Sequence, residues 1–135
     1  MPVKNVTRNT IIASRSRVAD SVVKRAVGLM FSKPTEAAMI LKFPKDVAIS
    51  LHTYFVFFPI DVLLIDGRLR VVELVQAMQP FTTYSSKSRA SYVVELPAGT
   101  IKKTRTKAGD EVAFLKIVER KLENGRSITV SRVQQ

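Results

Sequence analysis

The stretch from Phe55 to Val75, FVFFPIDVLLIDGRLRVVELV, restricts the folds open to this chain more than any other part of it. Two apolar runs are divided by Asp66-Gly67. Both central positions of a two-residue hairpin turn require positive φ, and Asp-Gly is one of the few pairs that tolerates it. The spacing therefore predicts a β-hairpin with arms near 60–65 and 68–75. After Asp61 the first arm, Ile60-Asp61-Val62-Leu63-Leu64-Ile65, is apolar at every position. Such a strand needs cover on both faces, which puts it in the middle of a sheet or barrel wall.

The totals set the outer limits. A chain of 135 residues with 46% apolar content suits a single globular domain, taken as residues 1–135. The absence of cysteine removes disulfides, thiolate nucleophiles and Cys-ligated zinc, and one histidine, His52, is too few for an ordinary protein zinc site. No metal or cofactor is expected. Met1 to Asn9 is polar and carries no secretory pattern, so a cytoplasmic location is expected. Val47 to Ile65 is long enough to span a bilayer, but Pro59 and Asp61 interrupt it and the Asp-Gly turn closes it into another β run. No membrane span is expected.

Charge is the unusual total. The formal net charge is +11, with seven basic residues and one acidic in 1–33, and six against two in 84–110. Such an excess argues for a polyanionic partner such as nucleic acid.

Along the chain, Thr10 to Ala19 reads as a strand with Arg15 and Arg17 on one face. Asp20-Ser21 signals a helix N-cap, and the helix should run to Gly28 with Val22, Val23, Ala26 and Val27 as a core stripe. Ala37 to Phe43 and Ala48 to Phe55 read as two strands separated by Pro44-Lys45-Asp46. Gln76 to Ser91 reads as a long polar loop, of the kind that is often functional. Tyr92 to Leu96 is a strand, and Ile101 to Thr106 a short helix capped by Thr100. Glu111 to Glu119 and Ser127 to Val133 are strands of a second hairpin turning at Asn124-Gly125. In the last strand, Ile128 and Val130 alternate with Ser127, Thr129 and Ser131, so one face should be wet. The fold class expected is α+β: a β-rich single domain, a partly closed antiparallel or mixed β-barrel with one or two short helices.

Gly28-Leu29-Met30-Phe31, Pro59-Ile60-Asp61 leading into Ile65-Asp66-Gly67, Tyr92-Val93-Val94-Glu95-Leu96-Pro97-Ala98-Gly99 and Gly109-Asp110 occur in an order and spacing that resembles domain-of-unknown-function family 192. The likeness covers about residues 10–114, leaving the hairpin of about 111–133 largely beyond it. It implies a small β-rich fold with the helix packed across it, and no activity. Many members of that family carry a polar Met-Lys-Asn-Thr-type run shortly before the proline. Here those positions are Thr53-Tyr54-Phe55-Val56.

Three groups of residues invite chemistry. His52 and Tyr54 share a strand face, and Asp61 opens the adjacent buried strand, so a carboxylate could orient an imidazole as a general base. No serine or cysteine nucleophile motif accompanies them, which favours Asp61 as a hydrogen-bond acceptor within the fold. The stretch Tyr84 to Arg89, with Ser86, Lys87 and Arg89, combines hydroxyls and cations in a way that suits an anionic group. Lys102, Lys103, Arg105 and Lys107 form a basic cluster, and with Arg15, Arg17, Lys24 and Arg25 would make a stripe if their faces coincide. Phe55, Phe57 and Phe58 read as core, so no base-stacking platform is expected. The function these features favour is a non-catalytic basic module contacting a polyanion through phosphates. The alternative is a protein binding a small anionic ligand, or an enzyme, with its site near His52, Asp61 and residues 84–89.

Overall fold

All six residues of the strand expected at the centre, β5 (Ile60–Ile65), are buried. A computed structural model of the chain describes residues 1–122 and 125–132. Strands β1 (Val3–Asn5), β2 (Thr10–Ala13) and β3 (Ser16–Ala19) precede helix α1 (Val22–Val27) and strand β4 (Ala38–His52). After β5 come β6 (Val71–Met78), β7 (Thr83–Pro97), helix α2 (Thr100–Thr104), β8 (Val112–Leu122) and β9 (Gly125–Arg132).

The strands form two sheets, a four-stranded one ordered β2-β1-β8-β9 and a five-stranded one ordered β3-β4-β7-β5-β6. The β3–β4 pair is parallel and the other pairs are antiparallel. The β-rich α+β class is as expected, but the barrel is not: among the described residues neither sheet closes. The sheets are instead stitched at Leu69 to Val71, where Val112 N–H donates to Leu69 O and Val71 N–H to Asp110 O.

Two apolar clusters explain why β5 has no polar face. Leu63 and Ile65 join Ile40, Val94 and Leu96 against Val3, Ile12, Val112 and Phe114 of the other sheet, with Ile101 of α2. Val62 and Leu64 point the other way, with Met39, Leu41 and Val93, and are covered by Leu29 and Val56 from connecting segments and by Met78 at the end of β6. Each such side chain stabilises the fold by about 1.5–3 kcal/mol when fully withdrawn from water.

The Asp66-Gly67 turn is a longer loop, since Ile65 pairs with Val71. Its left-handed residue is Leu69, not Gly67, and Asp66 Oδ1 holds it by accepting from Arg68 N–H and Arg70 N–H. Residues 10–19 are two strands in different sheets. The two strands around Pro44 are one, β4, which accommodates the proline in a bulge between Lys42 and Val47. Asp46 on that bulge accepts from Gly67 N–H and Ser91 Oγ.

The expected polar loop at 76–91 is mostly strand as well. Its bulge lies opposite Ile49, whose N–H donates to Ser86 Oγ in place of a backbone carbonyl. Glu73 pins this segment by accepting from Tyr84 Oη and from the N–H groups of Lys87 and Ser88. Burial alone would raise the Glu73 carboxyl, but these bonds outweigh it and hold the group below the usual carboxylate range.

Helix α1 begins and ends as read: Ser21 accepts from Lys24 N–H, and Gly28 caps the C-terminus. Its valines, however, are not core. Val22, Val23 and Val27 are 75%, 72% and 48% exposed, because the segment after the helix, not the helix itself, packs on the sheet through Leu29. Asn124 of the expected Asn-Gly turn lies outside the described residues, as does the facing of the side chains at 127–131.

Candidate ligand-binding site

The most unusual polar group of the molecule sits in the middle of β7. In Tyr92-Val93-Val94-Glu95-Leu96, Tyr92, Val94 and Leu96 face the inter-sheet core, while Val93 and Glu95 share the opposite face. Glu95 pairs across the sheet with Met39 and Val62 and is only 6% exposed. Its carboxyl makes no hydrogen bond to any described residue, yet neither oxygen is sealed off. It opens into a cavity of about 270 Å³ between the sheet and the end of α1.

The cavity wall is mostly apolar, with Leu29, Leu41, Leu51, Val56 and Ile60, and its polar groups are Glu95, His52, Ser50 and Arg25. Burial drives the Glu95 carboxyl up to about 7, because no described residue offsets the cost of desolvating its charge. Gly28 brings the chain close to it: with φ +47°, a Cβ there would stand 3.6 Å from Glu95 Oε2. That left-handed geometry favours glycine.

His52 closes one side. Its Nε2 is 3.0 Å from the Ala26 carbonyl and its Nδ1 accepts from Tyr54 N–H. This pair of bonds selects the tautomer with the proton on Nε2, donating to α1. Tyr54 is 45% exposed and stacks on the His52 ring at 5.3 Å. Arg25 donates to the carbonyls of Asp20 and Lys42 and lies over the Phe43 ring, so it fixes α1 to β4.

Asp61 behaves as an acceptor within the fold. Its Oδ1 accepts from Ala77 N–H, and its Oδ2 from Gly99 N–H and Ile101 N–H. The carboxylate ties β5 to the end of β6 and the start of α2. It alternates with Ile60 and Val62, which face the Glu95 side, and its partners are Ala77, Gly99 and Ile101, whereas those of His52 are Ala26 and Tyr54. The structure does not bring them together. Ser86, Lys87 and Arg89 form no common site with either, since Ser86 serves the β4–β7 bulge while Lys87 and Arg89 are exposed.

The basic residues divide in the same way. Lys24 and Arg25 ride on α1, outside one face of the five-stranded sheet, whereas Lys102, Lys103, Arg105 and Lys107 lie in or just after α2, whose Ile101 is in the inter-sheet core. Arg15 and Lys103 meet at one cleft of about 420 Å³, with Ser14, Thr100 and Glu36. Arg17 and Lys24 share another, beside Val18 and Val23.

The sequence pattern does not single out Glu95, because it lies inside a run that reads as an ordinary strand. The available signal was a lone carboxylate in a stretch otherwise apolar on both faces, the same signal that singled out Asp61.

Fold and cavity together define a β-rich α+β domain with a buried carboxyl that no described residue pairs. The chain matches the model of the family described as DUF192, Uncharacterized ACR, over residues 3–114, and it belongs to that family. A UPF0127 protein of Pyrococcus horikoshii is 36% identical over 111 residues, covering 82% of this chain and 96% of that protein. A UPF0127 protein of Thermococcus sibiricus is 32% identical over 110 residues, covering 80% of this chain and 71% of that protein. The crystal structure of a protein of unknown function from Novosphingobium aromaticivorans shares the fold, with a TM-score of 0.76, 22% identity and 84% of each chain covered. No helix among the described residues is long and apolar enough to cross a membrane.

Proposed function

We propose that this protein is a small-ligand-binding domain, and that its ligand has an apolar body and a nitrogen-donor head, such as a primary ammonium, seated on Glu95. The observation that carries this reading is the carboxyl of a residue only 6% exposed, without a hydrogen bond to any described residue, facing a largely apolar cavity. Buried carboxyls ordinarily have partners, and one held in reserve at a cavity is a candidate recognition group. An ammonium head supplies the missing charge and hydrogen bonds, and the leucine and valine walls accept the alkyl part.

The pH dependence follows from the raised carboxyl. Glu95 accepts a cation in its ionised form, so affinity for an ammonium should rise with pH up to about 7 and level off above it. A thermal-shift titration with hexylammonium, at pH 6 and pH 8, tests this. Stabilisation that is larger at pH 8 and absent in Glu95→Gln is the expected result. No stabilisation at either pH, or an equal effect in Glu95→Gln, would remove the cavity from the function. Stabilisation by hexanoate at pH 6 in place of hexylammonium would assign the site to an anionic ligand instead.

A second reading, polyanion contact through phosphates, draws support from Arg15 and Lys103 lining one cleft and from the net charge of +11. Binding of duplex DNA that weakens with salt at about −0.9 per phosphate contact, with a shallower slope in Lys103→Glu, is the outcome expected on that reading. No shift at low salt would end it.

A further inference from the structure

Beyond the cavity, four phenylalanines form a continuous exposed patch at one end of the five-stranded sheet. Phe31, Phe55, Phe57 and Phe81 are 69%, 44%, 63% and 49% exposed. Phe31 stacks on Phe55 at 4.9 Å, and Phe81 meets the edges of Phe55 and Phe57 at 5.7 and 5.5 Å. At about 200 Å² for each ring, the patch offers on the order of 400–500 Å² of apolar surface, as large as the biggest patch on most monomers. The rings sit on three turns that follow α1, β4 and β6.

These turns are built to hold the rings outward. Phe31, Phe55 and Phe81 have φ of 59°, 60° and 56°, a left-handed conformation that bulky side chains avoid. Thr53 clasps the second and third turns. Its buried Oγ donates to Gln79 O and accepts from Thr82 N–H, while its backbone carbonyl accepts from Phe81 N–H. Phe31 N–H donates to Phe55 O and draws in the first turn. Strained backbone that persists because its surroundings force it is characteristic of functional surfaces.

Charge points to the partner. Residues 28–33, 53–59 and 79–82 contain no acidic residue, and Lys33 follows Phe31 closely. The contact between His52 and Ala26 brings α1 beside this end, with the exposed Lys24, 4.0 Å from Asp20, and Arg25, held on the carbonyls of Asp20 and Lys42. Asp46, Asp66, Asp110 and Glu111 gather instead around the loop at the other end of β5, about 20 Å away at strand rise. We infer that this aromatic end docks onto an anionic membrane surface, the rings entering the interfacial layer and the flanking cations meeting lipid headgroups. A second copy fits poorly, because a chain carrying +11 repels itself. Single-stranded nucleic acid fits poorly too, because the rings already face or abut one another, whereas stacked bases need open ring faces.

Co-sedimentation of the full chain with vesicles of equal parts phosphatidylserine and phosphatidylcholine, against phosphatidylcholine alone, tests the inference. Binding to the anionic vesicles that weakens with added salt, and falls roughly tenfold or more in Phe57→Ser, is the expected result, the scale being that of one phenylalanine withdrawn from an apolar phase. Phe57 has ordinary backbone geometry and is largely exposed, so this variant should melt like the parent. Phe31→Asn, which suits the left-handed site, should lose vesicle binding without losing stability. No binding to the anionic vesicles, or binding indifferent to both substitutions, would overturn the inference. So would a concentration-dependent dimer, or oligothymidylate binding, that Phe57→Ser abolishes while vesicles go unbound.

Discussion

Two buried carboxylic acids stand on adjacent strands of one sheet, Asp61 on β5 and Glu95 on β7, and they could hardly be treated more differently. Asp61 is 1% exposed and receives three backbone N–H groups. Glu95 is 6% exposed and receives none from any described residue. Asp61 is spent on the fold, closing the ends of β6 and α2 around β5. Glu95 faces a cavity with its bonding capacity unused, at a cost to stability that an ordinary structural role does not require. Burial alone therefore does not mark a site; burial without a partner does.

The largest expected effect breaks the first half of the comparison. Asp61→Ala strands three backbone donors and should destabilise the protein by about 3–5 kcal/mol in denaturant unfolding. His52→Ala, which removes one donor to Ala26, should cost about 1 kcal/mol. A loss from Asp61→Ala no greater than that from His52→Ala would contradict the structural role of Asp61.

The second effect has the opposite sign. The Glu95 carboxyl rises from 4.5 to about 7 on folding, so the folded state holds its proton more tightly than the unfolded chain. Its contribution is intact below about 4.5 and is lost as pH rises toward 7. Glu95→Gln should remove that dependence and stabilise the protein at pH 8 by about 2–3 kcal/mol. A destabilised Glu95→Gln at pH 8 would mean that the carboxylate has a partner after all.

A smaller effect runs the other way in a different window. Burial would raise the Asp110 carboxyl, but bonds from Asn5, Lys107 N–H and Arg8 bring it below the usual range. Its contribution is present above the ordinary carboxylate range and is lost as pH falls through its lowered folded value. Asn5→Ala should therefore flatten the acid limb of the stability curve by about 1 kcal/mol while leaving the loss toward pH 7 untouched.

What could be read in advance follows from where the deciding interactions are local. The two-sided burial of β5, the Ser21 cap and the stop at Gly28 were legible because a few neighbouring residues decide each. That Asp61 needed a partner was legible from its apolar surroundings, although the donors, Ala77, Gly99 and Ile101, were not, since they converge from distant segments. Pro44 looked like a strand end because nothing nearby shows a bulge with Asp46 bonded to Gly67 across the sheet. The polar run at 83–91 looked like a loop because its strand bonds go to β4 and its bulge rests on Ser86 and Glu73. The valines of α1 and the phenylalanines at 55 and 57 looked like core because a spacing pattern reports apolarity and not whether a layer covers it. Glu95 was hidden for a related reason: only the fold shows that its face of β7 ends in a cavity and not against a donor.

The most direct test is a carbon-13 NMR titration of the Glu95 side-chain carboxyl in the folded protein, without and with saturating hexylammonium. A midpoint near 7 that moves down when the ammonium is added is the outcome expected of an unpaired carboxyl waiting for a cation. A midpoint in the ordinary range near 4.5, unchanged by the amine, would show that Glu95 is already satisfied and that the contrast with Asp61 does not mark a binding site.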